Sequence, residues 1–176
     1  DGKSDYAPEK NIIIGNTTFY GAITGEAYIR GRAGERFCIR NSGAHVVVEG
    51  VGDHACEYMT GGRVVILGET GKNMAAGMSG GIAYVYVMKS RAAFLKQCNM
   101  TMIDVDRLDG DDKMMLCNML HNHYKFTGSR VAKSILDDFD IELENFVRII
   151  PKEFKNLLKQ RVIEEKMDIK EVSDGW

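Results

Sequence analysis

A 19-residue repeat constrains the fold of this chain more than any other feature of its sequence. Slid by that interval, Gly43, Gly62 and Gly81 superpose without a gap, as do Gly52 and Gly71. Met59-Thr60-Gly61-Gly62 falls on Met78-Ser79-Gly80-Gly81, and Arg40-Asn41-Ser42-Gly43 takes the same place one period earlier. The apolar segments Ala27–Ile29, Val46–Val48, Val65–Leu67 and Tyr84–Tyr86 align as well. They are mostly β-branched or aromatic, too short for helices, and bounded by glycine. Before residue 25 the register slips, and Ile12–Gly15 with Gly21–Gly25 reads as one more, irregular turn.

A unit this short cannot bury a face alone. Stacking solves the problem, each coil laying its strands on the coil below in parallel sheets about 4.8 Å apart. The glycines Gly43, Gly52, Gly62, Gly71 and Gly81 then mark turns, where φ is positive or coils pass too closely for a side chain. The pattern predicts a mainly β fold, a short right-handed parallel β-helix of about four coils over residues 12–88. Both ends of such a stack need covering, because an open coil exposes unpaired backbone and an apolar cross-section. The N-terminal end has only Asp1–Asn11. Another chain, another copy of this one in a homo-oligomer, or an upstream segment is expected to cover it.

Of 19 glycines, nearly all precede residue 82, so the chain changes character near residue 88. We divide it into a glycine-rich β-helix, 1–88, and a helical cap and docking extension, 89–176. In the extension, Ser90–Asn99 suits a short helix and Met100–Val105 a strand. Asp109 can cap a helix to about Tyr124 with Met115, Leu116, Met119 and Leu120 on one face. Thr127-Gly128-Ser129 opens a second helix through Ile135, Leu136 and Phe139. The apolar run Phe146–Ile150 ends before Pro151, which fits the first turn of a last helix bearing Phe154, Leu157, Leu158 and Val162. From about Glu164 that helix is expected to be solvated.

Charge and cysteine content narrow the function. With 23 basic and 25 acidic residues the chain lacks the basic excess of a nucleic-acid binder. No apolar run approaches the roughly 18–20 residues that span a bilayer, so no membrane partner is expected. Cys38, Cys56, Cys98 and Cys117 are widely spread without a CxxC pair, which disfavours a zinc site or iron–sulfur cluster and suits the cytoplasm.

Several motifs invite chemistry. Gly68-Glu69-Thr70-Gly71-Lys72-Asn73 follows a strand, but a phosphate loop needs four residues before its Gly-Lys and a hydroxyl after it. His54 and Cys56 would share a strand face as a nucleophile pair, yet their repeat equivalents are Asn73 and Ala75. His121 and His123 lie about 200° apart on a helix and cannot readily grip one metal. Ser129 suits helix capping better than a nucleophile elbow. No catalytic, cofactor-binding or metal-binding residue is therefore assigned. Arg30, Arg32, Arg36 and Arg40 crowd one coil, and are either a solvated face or a carboxylate-recognising interface.

At this point the residues carry a family resemblance. Gly15-Asn16-Thr17, Tyr20-Gly21-Ala22 and Gly31-Arg32-Ala33-Gly34-Glu35-Arg36-Phe37 resemble the glycine-rich (GXGXG) C-terminal domain of the glutamate synthase large subunit. So do Arg40–Ala44, Val48–Asp53, Cys56–Gly62 and Ala76–Gly81, and, in the extension, Leu108-Asp109, Thr127-Gly128-Ser129 and Phe146–Pro151. The resemblance implies a scaffold without catalysis of its own. It would hold a glutamine amidotransferase unit and an FMN and iron–sulfur synthase unit at fixed geometry while ammonia passes from glutamine to 2-oxoglutarate. FMN and the iron–sulfur cluster would sit on those partners, not on this chain. Alternatives are the β-helix subunit of another assembly, such as formylmethanofuran dehydrogenase, and a free-standing small-anion-binding protein.

Overall fold

The computed structural model describes residues 6–173, with side chains described through Glu164. Its framework is a six-stranded sheet in the order Glu26–Ile29, Ser42–Val48, Thr60–Ile66, Gly80–Tyr86, Phe146–Pro151, Ile103–Asp106. Strands β2 (Glu26–Ile29), β4 (Ser42–Val48), β5 (Thr60–Ile66) and β6 (Gly80–Tyr86) come from successive coils and pair in parallel. The first coil adds a two-stranded sheet of β1 (Ile12–Ile14) with β3 (Arg32–Ala33). Together they form a solenoid of about four turns.

The observed register departs from the ungapped repeat at one place. Val46–Val48 pairs with Val64–Ile66, one residue short of Val65–Leu67. The cause is a bulge between Ser42 and His45, where β4 carries one residue more than β5. A second bulge between Thr60 and Arg63 gives β5 one residue more than β6, and beyond it Val65 pairs with Tyr84 as the repeat aligns them.

The opposite wall of the solenoid is built from left-handed residues. Arg36, Cys38 and Arg40 have φ of 58, 57 and 55°; His54, Cys56 and Tyr58 have 66, 58 and 53°; Asn73 and Ala75 have 53 and 60°. Cys38, Cys56 and Ala75 are fully buried, as are their neighbours Phe37, Ala55 and Met74, while Arg36 and Arg40 are exposed. A left-handed non-glycine residue costs roughly 1–2 kcal/mol. Rungs to the neighbouring coils offset that cost: Arg36 N donates to Asp53 O at 2.8 Å, and Cys56 N donates to Phe37 O at 2.8 Å.

The tail continues the sheet. β8 (Phe146–Pro151) pairs antiparallel with β6 and with β7 (Ile103–Asp106), closing the C-terminal end of the stack. Pro151 is thus the last residue of β8, and helix α5 (Lys152–Ser173) begins after it. The short helix α1 spans Arg91–Leu95. Helix α2 (Gly110–Thr127) starts at an Asp109–Asp112 capping box and ends at Gly128, whose φ is 64°. The expected second helix is broken: α3 (Arg130–Asp137) stops at Asp138 (φ −127°) and α4 (Phe139–Glu142) follows. The expected solvated end begins at Glu164, which is exposed; side chains beyond it, like Asp1–Asp5, lie outside the described residues.

Two cores share the one sheet. Val46, Val48, Val64, Ile66, Ala83 and Val85 fill the solenoid with Phe37, Met59 and Met78. Val47, Val65, Leu67 and Tyr84 point outward and pack under Leu116, Met119 and Leu120 of α2 and Ala132 and Ile135 of α3. Covered on both faces, these strands read as continuous apolar runs.

Candidate functional site

The sequence-predicted residues scatter. The four arginines do not meet. The Arg30 guanidinium donates to Thr127 O at 3.3 Å, where α2 ends. Arg32 pairs with Glu69 at 3.2 Å on another corner. Arg36 and Arg40 stay exposed on the left-handed wall.

His54 and Cys56 separate as well. His54 Nδ1 meets Glu57 Oε1 at 2.7 Å, while Cys56 is enclosed. Burial pushes the Cys56 thiol up to about 12, and Cys98 likewise; Cys38 is raised well above its ordinary value by burial and then by Cys56. None of these three is a thiolate at neutral pH, so none is an activated nucleophile or a ready metal ligand. Among the described residues no group of three or more His, Cys, Asp or Glu could hold a metal ion.

The predicted turn glycines divide by the reason glycine is needed. Gly62 and Gly81 have φ of 80 and 77°. Gly71 is held by contact alone: a Cβ there would lie 2.1 Å from the Asp53 carboxylate, which accepts from Lys72 N at 2.7 Å. Gly43 is similarly pressed, against Ile23 O, and Gly52 against Glu35.

The polar centres of the molecule lie at the seam between solenoid and tail. Glu49 leaves the end of β4 fully enclosed, and one carboxylate oxygen receives the Ser129 hydroxyl and stands 3.4 Å from His123 Nε2. Ser129 also caps α3, accepting from Ala132 N at 3.0 Å. Serine and histidine meet the same carboxylate oxygen, so the imidazole does not stand between them to take the serine proton. The trio is a lock, not a nucleophile relay. With Arg30 on Thr127, it pins the α2–α3 junction to two successive coils. Sequence reasoning missed it, although a signal existed: Arg30 and Glu49 are one period apart, charged residues closing apolar strands.

A second seam lies at the other end of α2. Tyr84 donates to Asp112 Oδ1 at 2.8 Å, and Arg148 reaches Asp112 at 2.5 Å and Asp109 at 2.7 Å. Burial works to raise the Asp109 carboxyl, but the Asp112 amide and Arg148 outweigh it and hold it below the usual range. Asp106 is lowered too, burial being outweighed by Lys155 and then Arg148. Burial also pushes the Tyr84 phenol well up, so it stays a donor.

Open surface among the described residues includes a cleft and the N-terminal coil. A cleft of about 760 Å³ lies between the Glu69 corner and α1, floored by Val51, Val85 and Phe94 and rimmed by Arg32, Glu69 and Lys89. At the N-terminal coil, Ile12, Ile13 and Ile23 are 64, 42 and 79% exposed, and β2 is an edge of the main sheet. No described helix is long and apolar enough to cross a membrane.

Comparison with known proteins then gives these features a context. The GXGXG motif family matches residues 1–152. The large chain of NADPH glutamate synthase from Bacillus subtilis (strain 168) is 53% identical over 153 residues, which are 86% of this chain and 10% of that protein. NADH glutamate synthase from Schizosaccharomyces pombe is 53% identical over 158 residues, 89% of this chain and 7% of that protein. The chloroplastic ferredoxin-dependent glutamate synthase of Spinacia oleracea is 46% identical over 147 residues, 83% and 9%. The chain spans a tenth or less of the length of these relatives.

Proposed function

This chain belongs to the GXGXG motif family, and from that premise we propose that it is a non-catalytic structural element of a glutamate synthase-type complex. It would fix a glutamine amidotransferase unit and an FMN and iron–sulfur synthase unit relative to one another, so that ammonia released by one reaches 2-oxoglutarate on the other. A displacement of about 1 Å in such a geometry can cost a hundredfold in rate. The observation that carries this proposal is where the chain spends its polar groups. Glu49, His123 and Ser129, like Asp112 and Arg148, bind its own tail to its own coils, leaving a stiff block whose open features lie at the surface.

Its thiols support placing FMN and the iron–sulfur cluster on the other units. Cys38 and Cys56 face the closed interior of the solenoid, and burial keeps Cys98 protonated. Four free cysteines suit a reducing compartment such as the cytoplasm. For contact with neighbouring units the chain offers the isoleucines of the N-terminal coil and, of the predicted quartet, Arg36 and Arg40. Exposed apolar surface rimmed by polar residues is typical of interaction sites.

The test is a native pull-down of the chain from its source cells, with partners identified by mass spectrometry. Recovery of a flavin and iron–sulfur synthase unit and a glutamine amidotransferase unit, on the same polypeptide or on separate ones, is expected. Recovery of the chain alone, as a monomer or self-associated, would overturn the proposal.

A further inference from the structure

We draw no further inference here: the strongest candidate, the exposed apolar patch of Ile12, Ile13 and Ile23 on the N-terminal coil, where β2 is an edge of the main sheet, is an open face, and nothing in the structure shows what covers it.

Discussion

The solenoid and the tail are held by different kinds of interaction. In the coils, backbone groups do most of the joining: parallel ladders on one wall, and left-handed rungs such as Arg40 N to Glu57 O, 2.9 Å, on the other. Side chains there serve mainly to fill space. In the tail the order reverses. Helix α2 is capped at both ends, but what fixes it on the sheet is Leu116 and Leu120 packed on Val65 and Tyr84, with Glu49 and Asp112 as polar pins. A periodic backbone tolerates many side chains and few changes of shape. A docked helix tolerates the reverse.

Breaking a corner should have the largest effect. Gly62→Val places a branched side chain at φ 80° with its Cβ 2.4 Å from Ala44 O and 2.9 Å from the Asn41 amide. A loss of about 4 kcal/mol or more is expected. Thermal melting followed by circular dichroism checks it, and an unchanged midpoint would show that the bulge accepts a Cβ.

Breaking the seam should cost less and act on one region. Glu49→Ala leaves Ser129 and His123 enclosed without their shared acceptor, at a cost of about 3 kcal/mol. Hydrogen exchange should show amides of α2 and α3 losing protection while β4–β6 keep theirs. Uniform loss would show that the coils do not stand without the tail.

The smallest of the three effects sharpens the comparison through pH. Arg148→Gln removes a cation from Asp106, Asp109 and Asp112, and should cost about 2 kcal/mol at neutral pH. Asp106 and Asp109 have folded pKa values below their unfolded ones. Their contribution is therefore complete above about pH 4 and lost as pH falls through the lowered values. The gap between native and variant stability should be widest at pH 7 and narrow below about pH 4 in urea titrations. A gap independent of pH would show that Arg148 acts through packing alone.

Much of the solenoid was legible because its period is a covalent fact: glycines at equal spacing can superpose only if coils stack. Even so, the spacing Val46–Val65 misled by one residue, since bulges leave no mark in a repeat count. The left-handed wall was invisible because glycine is the usual sign of positive φ, and here Arg36, Cys38 and Arg40 occupy it, held by rungs that form only after stacking. The arginine quartet looked like one site because its members are near in sequence, whereas the coil turns them to different walls.

By itself, then, the sequence determined the repeat, the coil length, the positions where no side chain fits, and the capped start of α2 at Asp109. Each of these is set within a few residues or by simple periodicity. Only the tertiary structure decided that Phe146–Pro151 turns back antiparallel onto β6, that Glu49 meets His123 and Ser129, and that the chain abandons the stack after Lys89 and returns at Gln97, whose side chain bonds Thr70. Those outcomes depend on groups 27 to 80 residues apart coming into contact. Such contacts are chosen by packing and polar satisfaction across the assembled molecule, which no local pattern encodes.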